Sequence, residues 1–146
     1  MMKKRIKRLD KNKPSRSLTK IIIIKVLPVI AFLVAGFLLV PYGSMYFQNN
    51  KVDTIQTKNE AVLFYNANCP HCQKIYPKIF WHNVLNFNNE SKQIQTINVQ
   101  NANNKHYLAD FAIQATPTFM KTSNINQRLV STNSQQIKQF IQTGGH

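Results

Sequence analysis

Residues 21–40 form a run of twenty positions with a single charge, Lys25, and no other feature limits the chain as severely. At about 1.5 Å of rise per residue, a helix of that length spans roughly 30 Å, the thickness of one hydrocarbon core. Lys25 sits near the basic end, where its ammonium reaches the headgroups. Pro28 falls in the second turn and Pro41 is expected to close the helix. Tyr42, Tyr46 and Phe47 follow where an interfacial aromatic belt lies. The run is expected to cross a membrane once.

The charge is as unevenly distributed as the hydropathy. The 146 residues carry 19 Lys and Arg against 5 Asp and Glu, a formal charge of +14. Ten of the basic residues, Lys3 to Lys25, precede or enter the apolar run, and only Lys51 lies close behind it. By the positive-inside rule the amino terminus is expected in the cytoplasm and everything after the run outside. The basic tail lacks the aromatic or Gly-rich interleaving of an RNA-binding arm, and topology plus attraction to anionic lipid accounts for it. The region from Lys51 onward is only modestly basic, which argues against a nucleic-acid-binding domain. A cleaved signal peptide is the rival reading, because Gly43 and Ser44 are small. Without an A-x-A-like site, an uncleaved anchor is preferred. The expected organisation is a basic cytoplasmic tail (1–20), a transmembrane signal-anchor helix (21–43), a polar linker (44–60) and a folded domain (61–146). The Asn- and Lys-rich composition is of a bacterial kind, which places the expected site at a bacterial cell membrane, single-pass.

Beyond a polar tether with a possible short strand at 52–55, the sequence becomes periodic. Residues 61–66 (AVLFYN) make a short apolar run suited to a strand buried on both faces. From Cys69 to about Asn86, Ile75 and Ile79 with Tyr76, Phe80, Val84 and Phe87 recur at helical spacing. Residues 93–99 alternate as a strand, and 103–113 place Tyr107, Leu108, Phe111 and Ala112 at helical spacing. Residues 118–121 and 128–131 flank a turn at Ser123-Asn124, as in a hairpin. Asn133 or Ser134 caps a last helix carrying Ile137, Phe140 and Ile141, with Gly144 past its end. The order is β-α-β-α-β-β-α, an α/β class. About 85 residues suffice for one modest core.

Two cysteines, Cys69 and Cys72, stand where the first strand hands over to the first helix of the domain. Cys69 falls at the N-cap and Pro70 at the first helical position, where its missing N–H is harmless. The Cys69 sulfur then faces free amides and the positive end of the helix dipole, which favour its thiolate. Such sites lower a thiol from about 8.5 into a range of roughly 3.5 to 7.5. Cys72, one turn along and shielded, is the natural resolving thiol. A purely structural disulfide closing so short a loop would restrain the unfolded chain by only about 2 kcal/mol. Zinc needs two more ligands, and His71, His82 and His106 match no ligand spacing. Haem attachment needs His after the second cysteine, where Gln73 stands. No metal and no cofactor are expected. A second signal is Thr116-Pro117-Thr118, a proline opening a predicted strand, which suggests a bend or a cis peptide.

Cys69-Pro70-His71-Cys72 at a helix start, Pro77 five residues on, Thr116-Pro117-Thr118 and the element order together resemble the thioredoxin superfamily over residues 60–143. The resemblance implies a thioredoxin-like fold behind a single N-terminal transmembrane helix. It also implies a cis Pro117 packed against both sulfurs, and a Thr116 backbone that pairs with an extended substrate. Pro77 matches the helix-kinking proline of that family. The Pro-His dipeptide is that of DsbA-type disulfide oxidases, in which the histidine further stabilises the thiolate, so His71 is expected to tune Cys69. The sequence departs from the pattern at two places. Leu63 stands where thioredoxins carry a buried acid, and Asn68 where an aromatic precedes the first cysteine. A compact scaffold with an oxidase dipeptide implies a reduction potential above the about −270 mV of thioredoxin, toward the about −120 mV of DsbA.

The function expected is that of a membrane-anchored extracytoplasmic thiol–disulfide oxidoreductase, oxidase or reductase. Cys69, Cys72, His71 and Pro70 form its centre, and Thr116 and Pro117 hold substrate. Its expected partners are exported protein or peptide thiols and disulfides and a membrane or extracytoplasmic redox partner, with no nucleic acid and a monomeric state. The runner-up is an accessory or chaperone-like module for an exported peptide such as a bacteriocin, with redox activity incidental.

Overall fold

The computed structural model describes residues 20, 22–48 and 51–143. The basic tail, Lys20 apart, and Gly144 lie outside the described residues. The chain divides into two units, Met1–Leu38 and Leu39–His146.

A π-helical turn in the first unit, Ile22–Val26, leads into helix α1, Leu27–Phe47, whose residues from Leu39 on belong to the second unit. Side chains such as Ile24, Leu27, Phe32 and Leu33 are exposed on every side. The span Ile23–Phe47 is long and apolar enough to cross a membrane. Pro41, expected to end the helix, lies inside it and is buried. The helix runs on for six more residues because its end is held by the second unit, to which those residues belong.

The second unit is built on one four-stranded sheet in the order β2-β1-β3-β4. Strand β1 (Ala61–Tyr65) is central, parallel to β2 (Ile94–Asn98) and antiparallel to β3 (Thr118–Lys121). Strand β4 (Arg128–Val130) closes the far edge against β3. All five residues of β1 are buried, as its unbroken apolar run requires of a strand covered on both faces. Successive side chains alternate between those faces. Leu63 and Tyr65 join Phe119, Ile75, Ile79, Ile137 and Ile141 in one core, beneath helices α2 (Pro70–Leu85) and α4 (Ser134–Gln142). Val62 and Phe64 join Ile97, Val99, Tyr107, Ile113 and Met120 in the other, with the short helix α3 (His106–Asp110). Each large apolar side chain so buried contributes about 1.5–3 kcal/mol. The structure confirms the α/β thioredoxin-like order read from the sequence.

Three segments differ from expectation. Residues 103–113 do not make one helix but a 3-10 turn, Ala102–Asn104, and the five-residue α3. The Asn101 side chain accepts from the Asn103 amide, an asparagine-driven local bond that competes with helix propagation. Ala112, at φ 46°, then turns the chain out of α3. Residues 52–55 form no strand and are pinned by side chains instead. Val52 N–H donates to Asn104 Oδ1 at 2.9 Å, and the Tyr107 hydroxyl donates to the Val52 carbonyl at 2.8 Å.

The third difference concerns residues 44–48, read as the start of a linker. Residues 44–47 form the last helical turn of α1, and Met45 is fully buried in the α2-side core. Three hydroxyls converge on Gln48 Oε1: Tyr65 at 2.9 Å, Tyr76 at 3.0 Å and Thr96 at 3.0 Å. Tyr65 shares its proton with the Met45 carbonyl at 3.2 Å, and Gln48 Nε2 donates to the Thr96 carbonyl at 3.1 Å. The end of the apolar helix is thus a structural part of the sheet domain.

Candidate active site

Strand β1 delivers the chain to the head of α2 through a turn made by asparagine. Asn66 Oδ1 accepts from the Asn68 amide at 2.8 Å, and the Asn66 carbonyl from the Cys69 amide at 3.0 Å. Cys69 is the N-cap of α2 with extended backbone, and Pro70 is the first helical residue. Both positions match the sequence reading. Cys69 is half-buried and Cys72 fully buried, and both are free thiols.

Opposite them, the Thr116–Pro117 peptide is cis and Pro117 is buried at the start of β3. The Cys69 thiol donates to the Thr116 carbonyl at 3.4 Å. Cys69, Pro70, Cys72, Thr116 and Pro117, separated by up to 48 positions, are therefore brought to one place. His71 is there too, but its imidazole is exposed and its backbone is what bears on Cys69. His82 and His106 lie elsewhere: one ring nitrogen of His82 is 2.7 Å from the Lys92 carbonyl, and His106 packs on Tyr107. Among the described residues no group of three His, Cys, Asp or Glu could hold a metal ion.

The two sulfurs are set apart electrostatically. Burial alone would raise the Cys69 pKa, but the polar groups around the sulfur, the Cys72 backbone, the Thr116 side chain, the Cys72 thiol and the His71 backbone, together favour the anion, outweigh burial and lower the value. No amide makes a regular capping bond to the sulfur, so the sum of several weaker donors stands in for the single cap bond expected. Cys72 goes the other way: burial pushes it up to about 11. Its surroundings are apolar and aromatic. Leu63 occupies the strand position of the missing acid, and the Tyr65 and Tyr76 rings pack 4.7 Å apart in the same core. Burial likewise drives the Tyr65 pKa upward.

Residues that sequence reasoning missed complete the site from behind. Gln73, directly after Cys72, donates through Nε2 to the Ala67 carbonyl at 3.0 Å and to the Tyr46 hydroxyl at 2.8 Å. The sequence places Tyr46 in an interfacial aromatic belt and Gln48 at the start of a polar tether, and neither reading points to the site. The one available signal was Met45, an isolated apolar residue just past the membrane run.

A dithiol at the head of a helix, facing a cis-proline on the neighbouring strand of a β2-β1-β3-β4 sheet, defines a thioredoxin-fold redox domain. The thioredoxin family model matches residues 45–143, and the chain belongs to that family. The match begins at Met45, the residue of α1 buried in the domain core. Among solved structures, the thioredoxin of Fasciola hepatica is similar at 20% identity and a TM-score of 0.48, over 60% of this chain and 85% of that one. No curated protein compared with the chain matches it.

Proposed function

We propose that the protein is a membrane-anchored, extracytoplasmic thiol–disulfide oxidoreductase that exchanges disulfides with exported polypeptides through Cys69 and Cys72. The observation that carries the reading is the placement of the two sulfurs, Cys69 half-buried at the N-cap of α2 with the Thr116 carbonyl 3.4 Å away beside a cis-proline, and Cys72 fully buried one turn behind it. Cys69 is accessible and inclined to ionise, whereas Cys72 is buried and holds its proton. The thiolate is the nucleophile in exchange, and a lower leaving-group pKa speeds departure. Cys69 is therefore the favoured attacking thiolate in the reducing direction and the favoured leaving group when a second substrate thiol resolves the mixed disulfide, and with Cys72 fully buried it is the sulfur an incoming thiolate reaches.

In the reducing direction the Cys69 thiolate attacks a substrate disulfide. One substrate sulfur leaves with two electrons and takes up a proton. Cys72, losing its proton, then attacks the Cys69 sulfur and expels the second substrate thiol, leaving the Cys69–Cys72 disulfide. In the oxidising direction a substrate thiolate attacks Cys69 of that disulfide, and a second substrate thiol resolves the mixed disulfide. The dithiol is left on the protein for a membrane or extracytoplasmic partner to reoxidise. Thr116 and Pro117 hold the extended substrate, and His71 assists the Cys69 thiolate.

Anchoring rests on the apolar span Ile23–Phe47, and orientation on the basic residues that precede it. The test is single-turnover exchange between the full-length reduced protein and a disulfide-closed peptide, with the Cys69→Ala, Cys72→Ala double variant as blank. A rate above the blank is expected. A wild-type rate equal to the blank overturns the reading.

A further inference from the structure

Two grooves flank the turn that presents Cys69. One, of about 420 Å³, runs from Thr116 past Ile113 and Lys105 to Gln100. The other, of about 470 Å³, runs from Gln100 past Asn68 and Asn101 to Tyr46 and Phe47. Gln100 lines both, Asn66 lines the first, and Ala67 and Asn68, the two residues before Cys69, line the second, so the two grooves meet at the turn that leads to Cys69. The Thr116 end carries the carbonyl that already contacts the Cys69 thiol. The opposite end is the last turn of α1, a helix whose sequence speaks only of a membrane.

That end is aromatic and set in place. Phe47 is 87% exposed and Tyr46 50%. The residues on either side of the pair are fixed, Met45 by burial and Gln48 by its three hydroxyl partners. The Tyr46 hydroxyl accepts from Gln73, whose same nitrogen holds the Ala67 carbonyl, so the aromatic wall is joined to the cysteine turn by one side chain. The floor between is mostly amide, with Asn68, Asn98, Gln100 and Asn101. Amides of both donor and acceptor character suit an extended polypeptide backbone, and an exposed aromatic pair suits a large apolar side chain.

We infer that Tyr46 and Phe47 form a specificity pocket of the redox site, which takes a large apolar side chain next to the reactive cysteine of an extended polypeptide. The inference rests on the exchange function proposed above and adds the substrate class. Substrates with Phe, Leu or Met beside the cysteine are favoured over those with Gly or a charge there.

The experiment uses the full-length reduced protein in lipid nanodiscs and in detergent. Two synthetic peptides, each closed by one disulfide, differ only in Phe or Gly beside a cysteine, and glutathione disulfide serves as the small oxidant. In each case Cys69 attacks, Cys72 resolves, and two electrons pass from the protein dithiol to the added disulfide. The wild type is expected to react at least about fivefold faster with the Phe peptide, the scale of one aromatic anchor. Phe47→Ala is expected to erase that ratio, and Phe47→Leu, which keeps an apolar side chain, to retain most of it. Equal rates with both peptides, or a Phe preference that survives Phe47→Ala, overturn the pocket while leaving the exchange function standing. A preference lost by Phe47→Ala in nanodiscs but intact in detergent assigns the pair to the bilayer interface and also overturns it. Absence of reaction with all three disulfides defeats the exchange function itself, and the pocket with it.

Discussion

Cys69 and Cys72 lie one helical turn apart and depart from the ordinary thiol pKa in opposite directions, the first downward, the second up to about 11. The cause is position. Cys69 caps the helix at the surface, where first-turn groups and Thr116 reach its sulfur, while Cys72 is fully buried among Leu63, Tyr65 and Ile75.

Alkylation separates the two. In the reduced protein Cys69 is expected to be modified first, with a rate that rises at a pH below that of a free thiol, about 8.5. Cys72 is expected to stay protected until the protein unfolds. Iodoacetamide labelling across pH, read by mass spectrometry, checks both. Equal labelling of the two cysteines contradicts the arrangement.

Stability of the dithiol form carries the same signature with a defined sign. The folded pKa of Cys72 is raised, so its contribution is complete below the unfolded value and is lost as pH climbs toward about 11. Cys69 behaves oppositely, its contribution fading as pH falls through its lowered folded value. Beside the loss from buried Tyr65 at higher pH, urea unfolding under reducing conditions is expected to show a component that sets in above about pH 9 and that Cys72→Ala lacks. A disulfide has no thiol to titrate, so the oxidised protein lacks it too.

Replacing Cys72 by Ser removes the resolving thiol and is expected to accumulate mixed disulfides through Cys69, whereas Cys69→Ser accumulates none. Non-reducing gels of full-length protein incubated with a disulfide peptide distinguish the cases. Trapping through Cys72 instead would reverse the assigned roles.

The reduction potential is expected above the about −270 mV of thioredoxin, because stabilising the Cys69 thiolate stabilises the reduced form. Equilibration with glutathione measures it. A value at or below that mark contradicts the expectation. If the His71 imidazole contributes as proposed, His71→Ala lowers the potential; an unchanged potential leaves the tuning to backbone groups.

Gln48→Ala is expected to destabilise the domain by about 2–4 kcal/mol, since it strips three hydroxyls of their common acceptor. Met45→Ala, which opens a cavity in the core, is expected to fall in a similar range of about 2–5 kcal/mol. Urea unfolding of the full-length protein gives both values. A free tether in this stretch would leave stability within about 0.5 kcal/mol of wild type.

Much of this was legible in the residues. The apolar run 61–66, the helix from Cys69 and the Asn133 cap all appear close to where periodicity and capping chemistry put them, because each signal is local. The reactive pair and Thr116-Pro117 were legible because their residue types are rare in those local settings. What escaped was fixed by distant partners. Gln48 reads as one more polar residue until Tyr65, Tyr76 and Thr96 close on it from three elements. Lys121 gave no hint of its burial at the end of β3, where its ammonium donates to the Ile141 carbonyl and lies 5.5 Å from the Phe140 ring. The shortness of α3 was hidden because apolar spacing says nothing of asparagine side chains that capture backbone amides.

The seating of Met45 and Gln48 has a consequence for where the chain can be cut. A peptidase that clipped it after Phe47 would not leave an intact domain. It would remove the methionine that fills the floor beneath α2, and separate Gln48 from the helical turn that holds it against two tyrosines. Loss of the apolar helix takes part of the domain's core with it.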